Sequence, residues 1–141
     1  MSTNYFLRER EPYEVVVTYA TDHLIRENIK AVEPHYRRCH LCKLSYGWVP
    51  LMCCDPESTI DDVCIRSLRS IEMFVRQNDD YIIVDEYGDQ ISLDDWSRLV
   101  RSWGHDGVGC PDGSDPLSHR EIDHSVFVDD EGFEFSSSVF L

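Results

Sequence analysis

Cys39-His40-Leu41-Cys42 sets two thiols in a C-x-x-C pair, and Cys53-Cys54 adds two more after ten intervening residues. Thiolate sulfur and imidazole nitrogen are ligands of tetrahedral Zn²⁺, and two hairpin ends can bring four of them around one ion. Cys39, Cys42, Cys53 and Cys54 are therefore the candidate metal-ligating residues, with His35 or His40 as substitutes. Neighbouring residues of a strand point to opposite faces, so one of Cys53 and Cys54 would ligate, with a histidine or a distant cysteine as fourth ligand. Free thiols, buried or exposed, are the plainer alternative. A thioredoxin-like redox pair fits poorly. It needs its first cysteine at a helix N-terminus, and Ser45, Gly47 and Pro50 interrupt any helix after Cys42.

A second group of chemistry-bearing side chains lies in the Gly/Pro/Asp-rich stretch 104–124: His105, Asp106, Cys110, Asp112, Asp115, His119, Asp123 and His124. These types suit metal binding or acid–base work, but their spacings match no motif, and Asp112-Gly113-Ser114-Asp115 is too short for a calcium loop. A solvated acidic loop is the plainer reading. No local signature marks a cysteine nucleophile, and neither G-x-x-x-x-G-K-[ST] nor G-x-G-x-x-G occurs. The sequence thus favours a binding role over catalysis.

The charge is large and unevenly placed. The chain carries a formal −14, yet residues 1–54 hold seven Lys/Arg and six Asp/Glu (net +1), while residues 55–141 hold six and 21 (net −15). Such a field repels nucleic acid and anionic membrane and attracts basic surfaces. Direct nucleic-acid binding depends on phosphate neutralisation by Lys and Arg, and is disfavoured. Paired acids at Asp61, Asp62, Asp79, Asp80, Asp94, Asp95, Asp129, Asp130 and Glu131 are the candidate contacts to a basic partner. No apolar run approaches the ~20 residues of a membrane helix, and the N-terminus lacks signal-peptide order. A reducing cytoplasm is the expected compartment.

The elements that would position these groups follow from pattern. Residues 4–8 and Tyr13–Tyr19 read as strands, the second rich enough in β-branched and aromatic residues to be well buried. Thr21 or Asp22 predicts a helix start, with Leu24, Ile25 and Ile29 on one side and Pro34 marking the end. Residues 47–52 suit a strand that Pro50 confines to an edge or a bulge. Thr59 with Asp62 predicts a capped helix through about Gln77, with Cys64 on its apolar face. Residues 81–84 form a strand, 85–89 a turn, and Ser92 caps a second helix bearing Trp96, Leu99, Val100 and Trp103. Residues 125–128 and 133–135 close the chain as strands, extended by Val139 and Phe140. Trp48, Trp96 and Trp103 are expected in the core. The order favours one α+β domain over residues 1–141, mainly an antiparallel sheet with two or three amphipathic helices.

Four separated segments carry a family resemblance. Ser2-Thr3-Asn4-Tyr5-Phe6-Leu7 echoes a Gly-Thr-Asn-Tyr-Tyr-like start. His40 through Trp48 matches a His-Ile-Gly-Lys-Ser-Ser-x-Gly-Trp-like segment at His40, Lys43, Ser45, Gly47 and Trp48. An Asp-Glu-Tyr-Gly turn leads into a capped helix at 85–96, and Asp130-Glu131-Gly132-Phe133-Glu134-Phe135 closes the series. Together they resemble a family of small uncharacterised proteins encoded by bacteriophages and prophages. Many of its members carry a C-x-x-C pair upstream of the His segment. Here residues 22–38 contain no cysteine and Cys42 stands where the family has Gly, so no family zinc site carries over.

The resemblance implies a phage or prophage origin and makes His40, Lys43, Ser45 and Trp48 candidate ligand-binding residues. On a regular strand His40 and Lys43 would not share a face, although a bulge or turn would bring them together. The expected function is a phage-encoded acidic accessory protein. It would bind and inhibit a host protein with a basic surface, such as a defence or nucleic-acid-binding factor, in the host cytoplasm. The alternatives are a small-molecule-binding or metal-dependent protein using segments 40–48 and 104–124, and a subunit that assembles with itself or with a virion component.

Overall fold

A computed structural model describes residues 2–20, 28–55, 58–60, 63, 65–105, 107–109 and 127–136; for residues 17, 19, 20 and 28–30 the description is of the backbone. The architecture is α+β: a mainly antiparallel, mixed seven-stranded sheet, two helices packed on one face of it, and a separate two-stranded ribbon. The strands of the sheet are β1 (Ser2–Glu9), β4 (Arg38–Ser45), β5 (Leu51–Cys53), β6 (Tyr81–Asp85), β7 (Gln90–Ile91), β8 (Phe127–Val128) and β9 (Glu134–Ser136), in the order β7-β6-β1-β4-β5-β9-β8. Every pairing is antiparallel except β5 with β9. The ribbon pairs β2 (Tyr13–Ala20) with β3 (Asn28–His35) over all eight residues of each.

The helices are α1 (Leu68–Gln77) and α2 (Leu93–Ser102). Leu68, Ile71, Trp96 and Val100 on the helices meet Leu7, Cys39, Leu41, Cys42, Leu44, Met52, Ile83 and Phe135 on the strands in one buried cluster. Burying a side chain such as Trp96 is worth several kcal/mol, since truncating a buried Phe or Trp to Ala costs about 3–5 kcal/mol. The helix starts are fixed by capping. Ser67 accepts the Ser70 N–H and the Ser70 hydroxyl accepts the Ser67 N–H, while Ser92 accepts the Asp95 N–H.

Several expectations change. Residues 28–30, placed in a helix by periodicity, lie in β3, and Pro34 sits inside that strand instead of ending a helix. The β-branched run of β2 supplies eight-residue pairing that outweighs a weak helical pattern, and a ribbon edge tolerates the missing proline N–H. The rest of the expected helix, residues 21–27, lies outside the described residues. β2 is also not buried: Tyr13 is 42% exposed and Val16 66%.

The first helix starts at Leu68 rather than after Thr59. The Thr59 hydroxyl and N–H are engaged by the Arg38 backbone at 2.8 and 3.0 Å, holding that segment against β4. Ile60 still reaches the core, Val63 packs against it, and Cys64 lies outside the described residues. Pro50 falls just before β5, which is an interior strand between β4 and β9, so the proline removes no ladder bond. Trp96 is fully buried, Trp103 packs against the core from the end of α2, and Trp48 is 38% exposed instead of buried. The expected strand residues 125–126, 139 and 140 lie outside the described residues.

Candidate functional site

The face of the sheet away from the helices is organised by one irregularity. Tyr5 pairs with Cys42 but Phe6 pairs with His40, so Leu41 is an extra residue in β4. A bulge of this kind resets the side-chain alternation. Leu41 and Cys42 both enter the helix-side core, and His40 and Lys43, three residues apart, share the outer face. Their register partners there are Phe6 and Asn4. Toward the strand end the same face carries Arg8 directly opposite Arg38.

His40 is held on all sides. Its Nε2 lies 3.0 Å from Asn4 Oδ1 and 3.2 Å from the Cys42 carbonyl, two acceptors that assign the ring proton to that nitrogen. Its ring stacks on Phe6 at 4.8 Å, and its backbone N–H donates to Asp55 at 2.9 Å. Burial, reinforced by Arg38 and Lys43, pushes its pKa below the usual histidine value, although Asp55 opposes the shift. At neutral pH the ring is a neutral structural donor.

Ser45 and Trp48 belong to a different corner. The Trp103 indole N–H, at the C-cap of α2, is shared between their carbonyls at 3.2 and 3.0 Å. The Gly47 N–H donates to the Gly109 carbonyl at 2.8 Å, so the start of stretch 104–124 is laced to this turn. Gly109 is required there: a Cβ would lie 2.3 Å from the Trp103 ring. The structure thus divides the segment 40–48 between two places, with His40 and Lys43 on the open face and Ser45 and Trp48 against Trp103. Of stretch 104–124, residues 106 and 110–124 lie outside the described residues.

Three of the four described cysteines are buried. Cys39, Cys42 and Cys53 are at most 1% exposed and Cys54 is half-buried. Desolvation pushes Cys39 up to about 11 and Cys42 to about 12, and raises Cys53 and Cys54 as well. These groups are thiols at neutral pH, the wrong form for nucleophilic attack. Among the described residues, the group of three or more His, Cys, Asp or Glu ligand atoms lying within 4.8 Å of one another is Asp129, Asp130 and Glu131, so the four sulfurs are not drawn to one point.

That acidic group has internal partners. Asp129 accepts the N–H groups of Leu68, Glu131 and Phe133 at 2.9–3.0 Å, capping α1 and building its own turn. Asp130 pairs with Arg69 at 2.7 Å and Glu131 with Arg101 at 2.9 Å. Asp94 and Asp95 occupy the first turn of α2, where the helix dipole favours negative charge. Asp79 and Asp80 are different. They are exposed beyond the C-terminal end of α1, and neither makes an ion pair among the described residues. Asp61 and Asp62 lie outside the described residues.

Sequence reasoning passed over Arg8, Arg38, Phe6 and Tyr36. Their signal was the alternation Phe6-x-Arg8 in β1 together with Tyr36-Arg37-Arg38 entering β4, which becomes a common surface once the two strands are paired. No helix among the described residues is long and apolar enough to cross a membrane. Compared with known protein families, curated proteins and solved structures, the chain matches none.

Proposed function

We propose that this is a phage-encoded acidic accessory protein that binds a host protein through a basic surface and inhibits it. A defence factor or another nucleic-acid-binding factor is the target class, because such proteins carry basic grooves that an acidic body occupies. The observation that carries this reading is the exposure of Asp79 and Asp80, which local structure leaves without an ionic partner among the described residues, on a part of the chain with net −15. Asp94 and Asp95 extend the surface while also stabilising α2.

Two further features support binding over catalysis. Cys39, Cys42 and Cys53 are buried and protonated, and His40 is buried, neutral and committed to Asn4 and the Cys42 carbonyl. The β2–β3 ribbon presents Tyr13, Val16 and Val32 to solvent, and a two-stranded ribbon gains stability when something packs on it. Retention of a basic protein from host lysate at low salt, with release as salt rises, tests the reading. Salt-insensitive retention would remove its electrostatic basis.

A further inference from the structure

At the base of the ribbon, on the open face of the sheet, lies a cavity of about 530 Å³ lined by Phe6, Arg8, His35, Tyr36, Arg38 and Glu86, among others. Its volume is within the range of small-molecule sites, roughly 300–1,000 Å³. The register of β1 with β4 sets Arg8 and Arg38 directly across from each other. Like charges in that position repel and destabilise a sheet.

No carboxylate lies within ion-pair distance of either guanidinium among the described residues, although the chain holds 27 acidic groups. Each guanidinium instead lies against a ring: Arg8 over Tyr36 at 4.1 Å and Arg38 over Phe6 at 5.1 Å. Stacking holds one face of the planar group and leaves its in-plane N–H fork for an anion.

The two nearby carboxylates are turned to other work. Glu86 accepts the Asn4 N–H at 3.1 Å, and one oxygen of Asp85 accepts the N–H groups of Tyr87 and Asp89. Two opposed arginines, each lying against a ring and neither in an ion pair among the described residues, form a site for a compact dianion. Phosphate is the group whose geometry suits guanidinium forks. The cavity is larger than inorganic phosphate needs, and beside Val84, Asp85, Glu86 and Gly88 its wall carries the rings of Phe6, His35 and Tyr36, the last 39% exposed.

We propose that this pocket binds a small phosphorylated ligand carrying a ring, of the nucleoside monophosphate class, with Arg8 and Arg38 on its phosphate and Tyr36 beside its ring. The site is independent of the acidic surface, so either can fail without the other. It also needs no glycine-rich phosphate loop: two forks brought together by strand register replace the backbone N–H groups of such a loop.

Calorimetric titration of the full chain with AMP, ribose 5-phosphate, inorganic phosphate and adenosine tests this. AMP is expected to bind most tightly, ribose 5-phosphate and phosphate more weakly, and adenosine at least tenfold more weakly than AMP, at about the value of one charge-assisted contact. Arg8→Gln and Arg38→Gln should each weaken AMP about tenfold or more. Arg8→Lys, which keeps the charge but not the fork, should weaken it several-fold, and serves if the glutamine variants do not fold. Tyr36→Ala should lower AMP binding toward that of ribose 5-phosphate. Absence of binding by all three phosphate-bearing probes at millimolar concentration overturns the proposal. So does adenosine binding as tightly as AMP, or AMP binding unchanged in the arginine variants.

Discussion

The Arg101 guanidinium donates to both carboxylate oxygens of Glu72, at 2.6 and 3.0 Å, joining α2 to α1 across their packing interface. The Glu72 side chain is 8% exposed, and the remaining Arg101 donors reach Glu131 in the β8–β9 turn. One arginine thus ties three segments, and its hydrogen bonds to Glu72 hold that carboxyl below the usual range. Removing the guanidinium leaves a nearly buried carboxylate with only the longer, 3.9 Å contact to the exposed Arg76. Arg101→Gln is expected to destabilise the fold by about 2–4 kcal/mol in chemical denaturation. The sign of the pH dependence follows. A depressed carboxyl contributes stability above its unfolded pKa and loses it as pH falls through its folded pKa, so acid unfolding below about pH 4 should be blunted in the variant.

Asp129 and Asp130 are adjacent acids with opposite roles. Asp129→Ala strips three backbone N–H groups of their acceptor and should cost about 2 kcal/mol or more, since hydrogen bonds to charged groups are each worth about 1.5–3 kcal/mol. Asp130→Ala loses only an exposed pair with Arg69 and should cost about 0–1 kcal/mol. Thermal melts of the two variants make the comparison, and equal losses would contradict it.

His40 gives a second pH window. Its folded pKa lies below the unfolded value near 6.5, so the unfolded state takes up the proton first. The contribution is complete above about pH 6.5 and is lost as pH falls from there to the folded pKa. His40→Gln should flatten the loss of stability that sets in as pH falls below about 6.5, and an NMR titration of the ring should show a midpoint below 6.5. A midpoint above it would contradict the burial of the neutral ring.

The cysteines should behave as core residues. Alkylation of native protein at about pH 8, mapped by mass spectrometry, is expected to leave Cys39, Cys42 and Cys53 unmodified until denaturant is added, because burial suppresses the reactive thiolate. A strong chelator should leave the melting temperature unchanged, since the described sulfurs do not converge on one point. Stoichiometric zinc lost in Cys39→Ser or Cys42→Ser would contradict that arrangement.

What was legible in the sequence was local. Ser92 before an amphipathic run, the Asp85–Asp89 turn with its positive-φ Gly88, and the strands over residues 4–8 and 81–84 all stand where the sequence reading placed them. What was not legible was pairing. A weak helical pattern over 28–30 yielded to an eight-residue partner strand, and Thr59 yielded its capping role to the Arg38 backbone. The bulge at Leu41 has no sequence mark, yet it decides that His40 and Lys43 share a face. The same register brings Arg8 to Arg38 across 30 positions of chain, a juxtaposition that no spacing rule reads.

The central claim is that exposed carboxylates on this protein meet a basic partner. It is tested most directly by comparing wild type with an Asp79→Asn/Asp80→Asn/Asp94→Asn/Asp95→Asn variant as baits in host lysate. Salt would be raised from about 0.1 M to about 1 M, which shortens the screening length from about 10 to about 3 Å. The expected result is a basic protein held by wild type at low salt, released at high salt, and held much less by the folded variant. Equal retention by the variant, or retention that ignores salt, would contradict the claim.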